Sequence, residues 1–248
     1  MDDAMNDAAS ALPNQAPPAF TGRRLLYIGT GALGVMFMPM WVHWLRSSYP
    51  DVELRTVITR SATRFVTPTT LSVFGGKQPE LDVWSDEPET SAPHVELAHW
   101  ADTVIVHPAT FHFTSRLALG AADTPAMLAL QCAQVPVALA PALPPGAITS
   151  PAWQQHARAL AERPNVTVVR PHPGMSMTTG KPGAMTAAPL TEVIPALEEL
   201  RARLAAANGT EATGNARGAG QARATQAPDC TGETDRTGCA DRAEATRA

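Results

Sequence analysis

The sequence contains few cysteines and no pattern of metal-binding residues. Its 248 residues include 3 cysteines, of which Cys132 lies in an apolar run, whereas Cys230 and Cys239 lie in a polar segment. This arrangement argues against a disulfide framework and against a zinc site. The 7 histidines show no spacing such as H-E-x-x-H, so we predict no metal. We expect Cys132 to be a buried structural thiol.

The sequence also lacks a strong excess of charge and a long apolar run. A formal net charge of −4 gives no electrostatic basis for binding nucleic acid or an anionic membrane. The most apolar stretch, residues 35–45, contains Pro39 and His43 and is too short to span a bilayer. The first residues lack the basic and apolar segments of a signal peptide. We therefore expect a cytoplasmic protein that binds neither nucleic acid nor membrane.

Two terminal stretches lack the apolar residues that a folded core requires. Residues 1–21 are rich in Ala, Asp, Asn and Pro, and residues 206–248 contain no aliphatic side chain larger than Ala. We predict disordered tails over these two stretches and one folded domain over residues 22–205.

Short apolar runs alternate with helical patterns inside the predicted domain. Such strands, separated by helices, indicate an α/β fold with a doubly wound parallel sheet of the Rossmann or flavodoxin-like kind, flanked by helices on both faces. A ligand of such a sheet binds at the carboxyl ends of the strands. The predicted strands cover residues 25–29, 52–59, 102–108, 135–141 and 165–171. The predicted helices run from the first glycine turn through Trp44, over 68–74, 114–122 and 151–161, and along an apolar face of Leu190, Val193, Ile194, Leu197 and Leu200.

A glycine-rich turn follows the first predicted strand. The letters GTGALG, residues 29–34, lie between a strand and a helix, where glycine lets the backbone approach a phosphate at the helix N-terminus. The residues of this turn that we expect at the ligand are Gly29, Thr30, Gly31 and Ala32. A tight turn without a ligand is the alternative.

This turn does not identify the cofactor. The second predicted strand ends in Thr59-Arg60-Ser61 and not in the acidic residue that binds the ribose of a dinucleotide. Arg60 could bind a 2′-phosphate, which leaves an NADP reductase open. However, neither Tyr27 nor Tyr49 is followed by a lysine four residues later, so the Tyr/Lys pair of short-chain reductases is absent.

The most informative stretch covers residues 94–123. Its motifs are HVEL at 94–97, WAD at 100–102, PAT at 108–110 and GAAD at 120–123. In these motifs, and in TRSATRFVTP at 59–68, the chain resembles the homo-oligomeric flavin-containing cysteine decarboxylases. That family includes the decarboxylases of lanthipeptide biosynthesis and phosphopantothenoylcysteine decarboxylase.

The resemblance implies an FMN cofactor, with FAD as the alternative, at the carboxyl ends of the strands. The glycine turn would approach the phosphate, and the loops after the second and third predicted strands would complete the site. The residues that the family's motifs imply as flavin-binding are Gly29, Thr30, Gly31, Ala32, Thr59, Ser61, Phe65, Pro108, Ala109 and Thr110.

The resemblance also implies that His94 is the acid/base beside the substrate thiol. A thiol has a pKa near ~8.5 and imidazole near ~6.5, so a positioned histidine can take the thiol proton at neutral pH. The flavin would accept hydride from the cysteine Cβ, and the resulting thioaldehyde would lose carbon dioxide to leave an enethiol. The alternative is that His94 is a surface or helix-end histidine.

The chain departs from the family at two substrate-binding motifs. His112 replaces an asparagine that helps to hold the substrate carboxylate, and imidazole can also donate a hydrogen bond to that group. The alternative is that His112 packs between two phenylalanines. The family's P-x-M-N segment reads Pro141-Ala142-Leu143-Pro144, in which Pro144 has no N–H and no amide. This form resembles a subgroup of peptide cysteine decarboxylases, which favours a peptide substrate over the pantetheine precursor.

The stretch at 171–185 occupies the position of the family's substrate clamp. Its Gly, Pro, Ser and Thr content is typical of a mobile hairpin. Met175, Met177 and Met185 could pack on peptide side chains or simply fill the hairpin. Phosphopantothenoylcysteine decarboxylases have a reducing cysteine here, whereas this stretch has none. The resemblance therefore implies that the product remains an enethiol.

These observations favour one function over two alternatives. We expect oxidative decarboxylation of the C-terminal cysteine of a ribosomally made precursor peptide, for closure of an aminovinyl-cysteine ring. The resemblance implies a homo-trimer or a homo-dodecamer. The alternatives are phosphopantothenoylcysteine decarboxylase of coenzyme A biosynthesis and a non-catalytic flavin-fold binding subunit.

Overall fold

The described residues extend beyond the predicted domain boundaries of 22 and 205, and the last helix continues through Gln221 into the stretch predicted to be disordered. The computed structural model describes residues 16–88 and 90–221, with side chains described through Ala207. The predicted tails therefore lie outside the described residues over 1–15 and 222–248. Packing starts before residue 22, because Tyr49 donates a hydrogen bond to the Pro18 carbonyl over 2.7 Å and its ring contacts Phe20. A boundary between two units follows Ala207.

Six parallel strands form the central sheet in the order β3-β2-β1-β4-β5-β6. The chain moves outward from β1 in one direction, returns, and then moves outward from β4 in the other. This order confirms the predicted doubly wound α/β fold, whose switch point lies between β1 and β4. The strands are β1 (Arg24–Gly29), β2 (Glu53–Thr59), β3 (Glu80–Asp82), β4 (Thr103–Thr110), β5 (Val137–Ala142) and β6 (Val166–Val168).

Seven α-helices, three short 3-10 helices and one hairpin complete the described elements. The helices are α1 (Met38–Ser48), α2 (Pro68–Gly75), α3 (Pro93–Trp100), α4 (Phe111–Ala118), α5 (Pro125–Cys132), α6 (Pro151–Ala161) and α7 (Leu190–Gln221). The hairpin consists of β7 (His172–Met175) and β8 (Pro182–Thr186). Across the described ranges, no helix has the length and apolar character needed to cross a membrane.

Several elements differ from the sequence prediction for local reasons. The helix after the glycine turn is split into a 3-10 helix at Leu33–Phe37 and α1, because a proline fits the first turn of an α-helix. Helix α4 starts three residues earlier than predicted, since the Thr110 side chain accepts the Phe113 N–H and caps it. Strand β3 and helix α5 were not predicted, although Thr124 is an N-cap of the usual kind.

The core lies on both faces of the sheet. Alternate side chains of β1 enter opposite layers, so Leu25 and Tyr27 pack with α1 and α7, whereas Leu26 and Ile28 pack with α3, α4 and α5. The apolar face predicted for the last helix is confirmed, because all five of its residues are at most 1% exposed. A sheet covered on both faces leaves its carboxyl edge as the place for a ligand.

A histidine lies inside one of these layers, directly before the switch-point turn. His107 is 4% exposed, and its Nδ1 lies 3.1 Å from the hydroxyl of Tyr27, which is fully buried. The Trp41 ring contacts the imidazole from α1. Burial lowers the pKa of His107 to about 4, and the same burial raises the pKa of Tyr27. Both groups are therefore neutral at physiological pH.

Acidification should destabilise the fold through His107. In the unfolded chain its imidazole takes up a proton near pH ~6.5, whereas in the fold it does so only near pH 4. The stabilisation is complete above the unfolded pKa and is lost as the pH falls from ~6.5 to ~4, a loss on the order of 3 kcal/mol. Urea unfolding at about pH 7 and about pH 4.5 measures it. His107→Gln should show a flatter pH dependence, and a variant as steep as the wild type would contradict this assignment.

Candidate active site

The carboxyl ends of the central strands bring the sequence-predicted residues to one edge. Thr30 follows β1, Thr59 ends β2, and Thr110 ends β4. The register places Ala109 beside Pro141 and Thr110 beside Ala142. Residues predicted to bind cofactor and residues predicted to bind substrate therefore lie on neighbouring strands at the same edge.

The Thr30 side chain links the ends of β1 and β4. It is 1% exposed, its hydroxyl donates to the Pro108 carbonyl over 2.6 Å, and its oxygen accepts the Thr110 N–H over 2.9 Å. The peptide between His107 and Pro108 is cis. Thr30 thereby fixes the Pro-Ala-Thr turn at the switch point of the sheet.

The glycine turn and the loop after β2 are in direct contact. A Cβ at Gly31 would lie 2.4 Å from the Ser61 hydroxyl oxygen, so only glycine allows this approach. The Ser61 hydroxyl lies 3.1 Å from that of Thr59. Within the described residues, no side chain caps the 3-10 helix that follows Ala32. Two hydroxyls and a helix start with free N–H groups form an arrangement that suits a phosphate.

One aromatic side chain of the second loop is exposed beside this arrangement. Phe65, directly after the 3-10 helix Ala62–Arg64, is 42% exposed. An exposed phenylalanine offers an apolar face to a planar ligand. The two hydroxyls, the helix start and this ring together suit the phosphate and the ring of a flavin nucleotide.

His94 lies at the same edge, because it is the second residue of α3. Each helix that follows a parallel strand starts at the carboxyl edge of the sheet and runs back along it. The His94 ring packs edge-on against Trp84, with ring centroids 5.7 Å apart. Its Nδ1 is buried and has no hydrogen-bond partner among the described residues. The Trp84 indole N–H donates to the Asp123 carbonyl over 2.9 Å, which anchors the ring that holds His94.

His112 is the second residue of α4. It lies close to Asp123, whose carbonyl accepts the Trp84 hydrogen bond. Arg116 is the main cause of the lowered pKa of the Asp123 carboxyl, and His112 contributes to it. His112 is exposed. It does not pack between its neighbours, because Phe113 is buried in the core and Phe111 faces Trp153. The hydrogen bond between Trp84 and Asp123 therefore joins a residue that contacts His94 to a residue close to His112.

A buried carboxylate two residues before Trp84 binds the start of α5. Asp82, at the end of β3, is 3% exposed, and its Oδ1 accepts the Ala126 N–H at the start of α5 over 2.8 Å. Burial is the main cause of its raised pKa. Sequence reasoning missed Asp82 and Trp84 and quoted Asp123 only within the GAAD motif. For Trp84, the available signal was an isolated tryptophan in the polar loop before α3.

The Pro-Ala-Leu-Pro segment and the hairpin are paired with each other. Leu143 and Met185 exchange backbone hydrogen bonds of 2.8 and 2.9 Å, so β8 lies against the end of β5. Pro141 and Leu143 are buried, whereas Pro144 is exposed. The hairpin predicted at 171–185 is therefore present and adjoins the predicted substrate segment.

The exposed side chains of the hairpin lie near its tip. Met175 is 59% exposed and Met177 is 79% exposed. One prediction was wrong, because Cys132 is exposed at the end of α5, where the chain turns away from the core. Across 16–88 and 90–221, no group of three or more His, Cys, Asp or Glu side chains is arranged to hold a metal ion.

Removing the Thr30 hydroxyl should loosen the switch-point turn. Thr30→Val keeps the shape of the side chain but leaves a buried carbonyl and a buried N–H unpaired, at a cost of about 2–4 kcal/mol in the free energy of unfolding. Thr30→Ser keeps the hydroxyl and should lose about 1 kcal/mol. Urea denaturation measures both variants. Equal stability of the valine and serine variants would show that the hydroxyl does not hold the turn.

Comparisons with known proteins agree with the fold. The cypemycin cysteine dehydrogenase (decarboxylating) of a Streptomyces species is 29% identical over 147 residues, which are 59% of this chain and 76% of that protein. The coenzyme A biosynthesis bifunctional protein CoaBC of Mycobacterium bovis is 33% identical over 148 residues, 60% of this chain. This match spans only 34% of the CoaBC protein, so the chain corresponds to about a third of that relative.

A solved structure and a family model indicate the same kind of protein as these relatives. The crystal structure of the FMN-dependent cysteine decarboxylase SpaF matches with a TM-score of 0.58 and 26% identity, over 71% of this chain and 97% of that one. The family model described as Flavoprotein matches residues 15–199. The chain therefore belongs to the Flavoprotein family, among its flavin-dependent cysteine decarboxylases.

Proposed function

We propose that the protein oxidatively decarboxylates the C-terminal cysteine of a ribosomally made precursor peptide, with FMN as its cofactor. Two observations support the proposal: the Trp84-packed His94 at the start of α3, the helix that follows β3, and the Thr30 hydrogen bonds that link the ends of β1 and β4. The similarity to a cysteine dehydrogenase (decarboxylating) supports the reaction type. The product is an enethiol, which can add to a dehydroamino acid to close an aminovinyl-cysteine ring.

Two groups of residues at the carboxyl edge would hold the FMN, one at its phosphate and one at its ring. The hydroxyls of Thr59 and Ser61 and the N–H groups at the start of the 3-10 helix Leu33–Phe37 would bind the phosphate, while Phe65 and the Pro108–Thr110 end of β4 would border the ring. When bound, the flavin supplies a hydride acceptor for the cysteine Cβ. FMN is preferred over FAD because SpaF is FMN-dependent.

His94 handles the proton of the substrate thiol in this proposal. Its Nδ1 is buried without a partner within the described residues, so Nε2 is the nitrogen left to accept that proton. Trp84 positions the ring and limits its rotation. A fixed acceptor nitrogen next to the thiol is what deprotonation requires.

His112 binds the substrate carboxylate in place of the family's asparagine. Arg116 already pairs with the neighbouring Asp123 carboxylate, which leaves the exposed imidazole of His112 free to donate to a substrate. Pro144 cannot supply a polar contact. The Pro141–Leu143 strand end and the methionines Met175 and Met177 would instead border the peptide side chains.

The protein assembles as a homo-trimer or a homo-dodecamer in this proposal. Support comes from large apolar side chains that are exposed on one segment, the 3-10 helix and the start of α1. These are Leu33, Met36, Phe37 and Met40, each at least 45% exposed. Exposed apolar patches of this kind mark protein interfaces.

Coenzyme A biosynthesis is the second candidate, because the CoaBC relative is 33% identical. The hairpin region 171–185 contains no cysteine, so it offers no thiol that could reduce the enethiol. Turnover of phosphopantothenoylcysteine to the fully reduced amine would establish this candidate. A flavin-bound protein that turns over neither that compound nor any Cys-terminal peptide would instead be a non-catalytic binding subunit.

The central test is a mass measurement on a purified flavoprotein. We expect a yellow protein that removes about 46 Da, carbon dioxide and two hydrogens, from a peptide ending in cysteine. His94→Asn should keep the yellow colour and lower kcat by about 100-fold or more, because the proton acceptor is lost. His99→Asn, an exposed position on the same helix, is the matched control. Unchanged turnover in His94→Asn would remove this residue from the mechanism.

Replacing the aromatic support of His94 should slow the chemistry more than it weakens binding. Trp84→Ala should lower kcat by about tenfold to 100-fold with a small change in KM, because a misplaced imidazole no longer meets the thiol. The ¹⁵N NMR signals of the His94 ring should also move toward those of a free histidine. Trp100→Ala, on the same helix as His94, is the control and should affect stability only. The same kcat loss in both variants would contradict the positioning role.

A further inference from the structure

A groove lies along the outer edge of the sheet, away from the candidate site's centre. Strand β6 is the last strand in the sheet order, and within the described residues no further strand pairs with it. The groove between α6 and α7 at this edge has a volume of about 710 Å³. Its floor is largely apolar, with Trp153 on one side and Leu204 on the other. Unpaired strand edges of this kind bind extended peptides in other proteins.

The groove carries positive charge. Three arginines line it, namely Arg163, Arg170 and Arg203, and no Asp or Glu is among its lining residues. Arg163 is occupied, since it donates to the Leu130 carbonyl over 2.6 Å and to Gln131. Arg170 and Arg203 are exposed and pair with no carboxylate in the described part of the chain. The groove therefore offers two free cationic groups to an acidic partner.

One end of the groove lies close in sequence to the predicted substrate segment and to the hairpin. Ile148, which lines this end, lies in the 3-10 helix Ala147–Thr149, which two residues separate from the Pro-Ala-Leu-Pro segment. Pro171, at the same end, directly precedes hairpin strand β7. Because β6 is parallel to β5, this end is at the carboxyl edge of the sheet. A chain leaving the active site can therefore enter the groove without crossing the domain.

We propose that this groove binds the part of the precursor peptide upstream of its C-terminal cysteine, in extended form and through acidic side chains. The inference rests on the proposed peptide substrate. The edge from Val166 to Pro171 corresponds to ~20 Å of extended chain, enough for roughly six peptide residues. Backbone hydrogen bonds to β6 would give affinity, and Arg170 and Arg203 would select acidic residues.

A second copy of the chain fits this edge less well than a peptide. A symmetric pair of β6 strands is an isologous contact, in which the same patch of both copies meets. It would bring the arginines of both copies together along one edge, with no carboxylate among the lining residues to balance their charge. Such like-charge contacts are unfavourable, whereas an acidic peptide neutralises the same arginines.

Two peptides and two variants, one of them a control, test the proposal. One peptide is a tripeptide ending in cysteine, and the other extends it by six residues that include two or three glutamates. In the double variant Arg170→Glu and Arg203→Glu, we expect KM for the long peptide to rise about tenfold or more with kcat unchanged. The tripeptide should change by less than about twofold. Arg158→Glu, on the exposed face of α6 outside the groove, is the matched control and should match the wild type.

Further measurements distinguish failure of the proposed function from failure of the proposed groove. If neither peptide is turned over, the proposed function fails, and fluorescence anisotropy of the labelled long peptide then tests the groove by itself. A long peptide with glutamine in place of glutamate should lose the dependence on the two arginines. The proposal is overturned if the long peptide binds equally well to the wild type and the double variant. It is also overturned if the double variant changes only the oligomeric state in sedimentation, since a second copy would then occupy the edge.

Discussion

The hydrogen bonds of Thr30 hold together the part of the structure on which the functional account depends. The strand order changes direction between β1 and β4, so the ends of these two strands are the place where a crevice can form. The Thr30 hydroxyl closes the base of that crevice by binding the carbonyl of Pro108 and the N–H of Thr110. The glycine turn, the second loop and the Pro141–Leu143 strand end all border the same position. A change at Thr30 would therefore alter the proposed cofactor site and the proposed substrate site together.

The sequence allowed the fold and one half of the site to be predicted, because both depend on local patterns. Continuous apolar runs such as LLYIG indicate strands that are buried on both faces, and the structure confirms them. The glycine turn and the PAT motif are also short-range signals. Helix α6 was predicted with correct ends, since Ser150 and Pro151 form an ordinary helix start.

The other half of the site depends on contacts between distant segments, which no local pattern shows. Trp84 reaches Asp123 across 39 positions of sequence, and Asp82 reaches Ala126 across 44. The Trp84 contact of His94 was therefore invisible in the sequence, although His94 itself was proposed from its motif. The exposure of Cys132 was missed for a similar reason, because an apolar neighbourhood in sequence does not specify which way a helix end faces. The arginine groove likewise combines side chains from α7 with residues that flank β6.

The central claim is that a flavin at this edge oxidises the terminal cysteine of a peptide. Anaerobic mixing of the flavin-loaded protein with a Cys-terminal peptide tests it most directly, with the visible flavin absorbance as the signal. The account predicts that this absorbance bleaches with one flavin reduced per peptide decarboxylated, and that the same peptide ending in serine causes no bleaching. Decarboxylation without flavin reduction, or equal bleaching by both peptides, would contradict it.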